Sequence, residues 1–95
     1  MVELKSGQLV RSLAGRDKGK HYLVLKELNE KYVLLVDGRN RTAHKPKKKN
    51  KIHLQHYDRG VDEEALFGKK RITDGQIIRF ISELLNNTGT PDEEV

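Results

Sequence analysis

The chain has no cysteine and no tryptophan, and aromatic residues make up only 5% of it. Without cysteine there are no disulfides and no thiolate zinc sites, and nothing argues for export. No apolar run approaches the roughly 20 residues that span a bilayer, and the opening MVELKSGQ lacks a signal-peptide core. A cytoplasmic address with no membrane partner is therefore the expectation. Three tyrosines and two phenylalanines are too few for a base-stacking platform of the RRM or OB type. Tyr22 and Tyr32 lie in apolar runs and read as core, which leaves Tyr57 as the one aromatic candidate for a base.

Catalytic and metal-binding patterns are equally thin. No serine or threonine stands in a nucleophile elbow, and the acids show no pairing, so no enzyme and no cofactor are expected. His53 and His56 are three apart on a predicted strand, which directs them to opposite faces. No metal site is expected from them.

What the chain has in quantity is positive charge, and its placement is uneven. The net charge is +5 over 95 residues. Residues 1–60 hold 15 Lys/Arg against 6 Asp/Glu, a net of +9, whereas residues 61–95 hold 4 against 8, a net of −4. A basic body of this kind suits a polyanionic partner. The densest part is Arg39–Lys51 (RNRTAHKPKKKNK), with seven Lys/Arg in thirteen residues and no acid. Pro46 cannot donate a ladder hydrogen bond, so this stretch reads as a loop or a sheet edge. Charges there that only blocked edge-to-edge aggregation would not need such density, so a phosphate site is favoured. On that reading, neutralising Lys47, Lys48 and Lys49 together should leave melting almost unchanged. PKKKNK also resembles a nuclear import signal, a weak pattern.

The second informative stretch is AGRDKGKHY (Ala14–Tyr22). It is not a phosphate-gripping P-loop: three residues separate Gly15 from Gly19 where four are needed, and His21 replaces the metal-binding hydroxyl. A tight turn between strands is the better description. Gln8–Ala14, His21–Lys26, Tyr32–Val36 and Ile52–Tyr57 form a series of predicted antiparallel strands. YVLLV is apolar on both faces, as in a strand enclosed by a small barrel, and Asp37–Gly38 ends it in a turn. In the last strand, Ile52 and Leu54 are assigned to one face, with His53, Gln55 and Tyr57 on the other.

Beyond residue 60 the pattern turns helical. Asp62–Phe67 suits a single turn, and a helix over 74–87 is marked by Thr73 as N-cap with Gln76 three residues on. Ile77, Ile78, Ile81, Leu84 and Leu85 form one apolar stripe. A helix this short is marginal alone, so the stripe must dock, either on an open barrel end or on a partner protein. Residues 88–95 read as a disordered acidic tail.

Gly7–Val10, then Ala14–Lys20, then the apolar run Tyr22–Leu25 resemble a KOW motif. The continuation VDGRNRTAHKPKKKNKIHL is similar to the short bacterial KOW-domain RNA-binding proteins, a group related to a ribosomal protein of archaea and eukaryotes. The resemblance covers residues 7–57 and does not reach the helix. It implies a mainly β fold, a small SH3-like barrel that binds ribosomal RNA through its loops and basic edge. The barrel is assigned to residues 1–60; residues 61–87, read from their own pattern, are expected as a helical extension packed on it, and a monomer is expected. Gly15 and Gly19 then bracket a loop that presents Arg16, Lys18 and Lys20. Asp17 either forms the turn through backbone N–H groups or pairs with Arg39 or Arg41. Arg39, Arg41, Lys45, Lys47, Lys48 and Lys49 would supply further phosphate contacts, with His44 and Asn50 adding hydrogen bonds. The competing expectation is a protein-interaction adaptor that inserts the stripe of helix 74–87 into a partner.

Overall fold

The computed structural model of the protein describes residues 4–68 and 72–88. Five strands, β1 (Gln8–Ser12), β2 (His21–Glu27), β3 (Tyr32–Val36), β4 (Lys47–Asn50) and β5 (Leu54–Gly60), are followed by helices α1 (Glu63–Phe67) and α2 (Asp74–Thr88). They form one antiparallel sheet in the order β4-β3-β2-β1-β5. The protein is thus mainly β with a C-terminal helix. Of the tail expected over residues 88–95, Thr88 instead closes α2, and residues 89–95 lie outside the described residues.

The chain passes between the two edges of this sheet in a single 3-10 turn, Lys51–His53, which links β4 to β5. In a flat five-stranded sheet those edges would stand roughly 19 Å apart. Three residues of 3-10 helix advance only about 6 Å. The sheet must therefore be strongly curled. Register shifts between Val24 and Lys26 in β2 and between Gln8 and Val10 in β1 contribute, because a bulge bends and twists its strand.

Curling gives the sheet two buried faces. The concave face holds Leu4, Val10, Tyr22, Val24, Val33, Leu35 and Leu54. The other face buries Leu9, Leu23 and Val36 beneath Leu66 of α1, Ile77 of α2 and Ile72, which precedes α2. The two-sided apolarity of YVLLV has its explanation here: Val33 and Leu35 point inward, and Val36 meets the helices. The stripe of α2 docks on this outer face, not on an open barrel end, with Phe80, Ile81 and Leu84 packed on the same cluster.

The cap of α2 forms as its spacing predicts. Thr73 Oγ1 accepts from the Gln76 backbone N–H (3.2 Å), and Gln76 Oε1 accepts from that of Thr73 (2.9 Å). Asp74 then reaches across and accepts from Ala43 N–H at 3.1 Å, tying the β3–β4 loop to the helix. Gly38 permits that approach. Its φ is +81°, and a Cβ there would lie 2.5 Å from the Asp74 carbonyl oxygen.

Of the two readings of Arg39–Lys51, the sheet edge holds for its end: β4 begins directly after Pro46 as an edge strand. One expectation for this region needs correction. Ile52 does not point inward beside Leu54: it sits in the 3-10 turn, 77% exposed. The cause is local, since Asn50 Oδ1 accepts from Ile52 N–H at 3.0 Å and turns the chain before β5 can begin.

Candidate nucleic-acid interface

The β1–β2 connection follows from its glycines. Gly15 and Gly19 have φ of +87° and +91°, and Lys18 N–H and Lys20 N–H donate to the carbonyls of Gly15 and Asp17. Such values are accessible to glycine at little cost. Arg16, Lys18 and Lys20 are exposed on this turn.

Asp17 between them is buried, and its role differs from both expectations. Its side chain neither caps backbone N–H groups nor pairs with Arg39 or Arg41. The Ser12 hydroxyl donates to Oδ1 and the Tyr22 hydroxyl to Oδ2, each at 2.8 Å. Lys49 Nζ lies 3.1 Å from Oδ1 and Lys47 Nζ 3.1 Å from Oδ2. Lys49 also donates to the Ala14 carbonyl at 2.9 Å. Burial alone would raise the Asp17 carboxyl, but the donors Ser12, Tyr22, Lys47 and Lys49 outweigh it and hold the pKa well below the usual carboxylate range. Tyr22 is shifted well upward, by burial first and then by its bond to Asp17 and the nearby carboxylate charges.

The register explains why these two lysines meet Asp17. Lys49 pairs with Val33 and Lys47 with Leu35, so both share the concave face with those apolar side chains. Lys47 keeps 23% of its side-chain surface exposed and Lys49 11%. Lys48, pointing the other way, is exposed and lies 4.5 Å from the centre of the Tyr32 ring. The cationic run is therefore divided by strand alternation, and the compensating acid missing from residues 39–51 arrives from the β1–β2 turn. Inward-pointing charges also keep this edge strand from pairing with another chain.

The other cations of the run have different settings. Lys51 is paired with Glu27, which lowers the Glu27 pKa chiefly through that hydrogen bond. Arg39, Arg41, His44 and Lys45 are exposed on the β3–β4 loop. Asp37 shapes the start of this loop: its Oδ1 accepts from Arg39 N–H at 2.9 Å and Arg41 N–H at 2.8 Å. Asn50 has its Oδ1 engaged by Ile52 N–H. Among the described residues, Arg16, Lys18, Lys20, Arg39, Arg41 and Lys45 make no ion pair.

The aromatic and histidine positions complete the surface. Tyr57 is half-buried, with its hydroxyl 3.1 Å from His21 Nε2 and its ring edge-on to that imidazole at 5.7 Å. Burial, followed by the charge of Arg11, lowers the His21 pKa. Tyr32 is half-buried beneath Lys48, whereas Tyr22 is core. His53 belongs to the 3-10 turn, so the strand geometry expected of the His53–His56 pair does not apply. Between the two basic loops and α2 runs an open groove of about 410 Å³, with Lys20 and Arg39 at its polar side and Ile78, Ile81 and Ser82 on its helix side.

The Asp17 cluster was visible in the sequence only as fragments. Ser12 and Tyr22 are hydroxyls within apolar strands, and the alternation Lys47–Lys49 matches Val33–Leu35, but nothing local connects them. No family model matches the chain, and no curated protein matches it.

Proposed function

We propose that the protein binds structured RNA, ribosomal RNA foremost, in a ribosome-associated or ribosome-assembly role, on an SH3-like barrel of the KOW type. The fold reading is supported by the strand order and by the 3-10 turn that joins β4 to β5 across the curl. The functional reading rests on one observation: two neighbouring loops expose six cations that make no ion pair among the described residues, while the acids beside them are otherwise engaged. Asp17 is held by Lys47 and Lys49, and Asp37 Oδ1 by backbone N–H groups.

Arg16, Lys18, Lys20, Arg39, Arg41 and Lys45 are the phosphate contacts on this reading, with Lys48 beside them on the outward side of β4. Lys47 and Lys49 serve instead to fix β4 and the β1–β2 turn in place. The adaptor reading is weakened because Ile77 is fully buried against the sheet and Ile81, Leu84 and Leu85 pack partly on the same cluster, so the stripe is not a wholly free face. The import-signal reading is weakened because two of its lysines face inward.

The test is salt dependence. Six phosphate contacts at about 0.7–0.9 counterions each give a log–log slope of roughly −4 to −5. Replacing Lys18, Arg39 and Lys45 together by Gln should reduce its magnitude by about 2 to 3, with melting unchanged. Titration against total ribosomal RNA at several salt concentrations measures both. A triple variant with wild-type affinity and slope would remove these loops as the RNA site.

A further inference from the structure

The groove beside α2 has a composition that phosphate recognition does not require. Along its polar side stand Lys20, from the end of the β1–β2 turn, and Arg39 with Asn40, from the β3–β4 loop. Its helix side is formed by Ile78, Ile81, Ser82 and Leu85. The Asp37 carboxylate also borders the groove, but its Oδ1 is engaged by the Arg39 and Arg41 backbone N–H groups. Among the described residues Lys20 and Arg39 make no ion pair, which leaves them to an anion.

We infer that this groove receives a single unpaired nucleotide of the bound RNA. This inference rests on the RNA-binding reading and deepens it. The groove volume of about 410 Å³ falls in the range of sites that hold small organic ligands, and a nucleotide is of that size. The base lies against Ile78 and Ile81 and the Arg39 guanidinium, whose plane can stack on it. The phosphate meets Lys20 at the rim. Asn40 offers an amide donor and acceptor to the base edge, and Ser82 a hydroxyl to the ribose. Charge selects the ligand class: an apolar wall with cations along the opposite side suits a flat ring that carries an anion. The sequence suggests a reader of phosphate and RNA shape alone, because aromatic side chains are scarce. The groove adds a site for a flat base built from aliphatic side chains, and it gives α2 a part in binding.

The experiment compares a hairpin RNA carrying an unpaired loop with a fully paired duplex of equal phosphate count. Wild type should prefer the hairpin by at least about tenfold, the usual order for one stacked base. Ile81→Gln should abolish that preference and leave duplex affinity and its salt slope unchanged. Should Ile81→Gln melt early, amide chemical shifts of wild-type protein give the answer instead. A single-stranded tetranucleotide should move the Ile78, Ile81 and Ser82 signals, whereas duplex RNA should move only those of the two loops. Equal binding of hairpin and duplex by wild type, or tetranucleotide shifts confined to the loops, overturns the groove and leaves the phosphate reading intact. Failure to bind either RNA overturns both.

Discussion

At the scale of single residues, Asp17 governs more of this protein than any of its cations. One carboxylate satisfies two hydroxyls and two ammonium groups drawn from β1, β2 and β4. Removing its charge leaves two partly buried lysines without their carboxylate, Lys49 keeping only the Ala14 carbonyl, a change that costs about 3 kcal/mol in comparable sites. Asp17→Asn should show that loss in urea unfolding at neutral pH. The pH dependence has a definite sign. The folded carboxyl titrates well below its unfolded value of about 3.9. Its contribution is complete above that unfolded value and drains away as the pH falls from there toward the folded one. The stability gap between wild type and Asp17→Asn should therefore be constant from pH 5 upward and should narrow below about pH 4. Matching unfolding midpoints at pH 7 would show that the network contributes nothing.

At the scale of elements, β4 shows how one run of like residues takes two roles. Lys47 and Lys49 face the concave side and meet Asp17, whereas Lys48 faces outward over Tyr32. Neutralising all three without effect on melting, as a loop would allow, is not what this strand predicts. Lys47→Gln with Lys49→Gln should destabilise by about 1–3 kcal/mol, since Asp17 stays buried with fewer donors. In a domain of this size each kcal/mol lowers the melting temperature by roughly 4–8 °C. Lys48→Gln is an exposed change and should stay within about 0.5 kcal/mol. Thermal melts of the double and single variants suffice to compare them. Equal melting of the two would return β4 to the status of a charged loop.

At the scale of the whole molecule, the sheet is a layer between two small cores. The concave core closes around Leu35 and Val33, and the outer core lies between the sheet and the helices. Helix α2 has too few residues to be stable alone, so its persistence depends on that outer core. Ile77 is fully buried there, and Asp74 ties the helix to the β3–β4 loop. Amide exchange of Ile77–Leu84 should consequently be as slow as that of β3, because both open only when the domain does. Fast exchange along all of α2 in the isolated protein would mean that the helix needs a partner to hold it. The same docking sets the helix beside the basic loops, which is why the groove combines groups far apart in the chain.

Sequence alone was enough for features that are local in origin. The β3 strand, the Thr73–Gln76 cap, the apolar stripe of α2 and the positive φ of Gly19 follow from residue type and spacing over a few positions. The charge asymmetry between residues 1–60 and 61–95 is also a property of the sequence. Tertiary structure decided the rest. Lys-Lys-Lys-Asn carries no alternation of polarity, so its strand period became visible only when Val33 and Leu35 paired with it. Ile52 was set outward by the Asn50 turn, an effect that its own apolar character could not signal. Asp17 found Lys47 and Lys49 some thirty residues away because the curl of the sheet brought β4 across the β1–β2 turn. Propensity and periodicity act over one turn or one strand, whereas the partner of a buried charge is chosen by whichever surfaces the folded chain brings together.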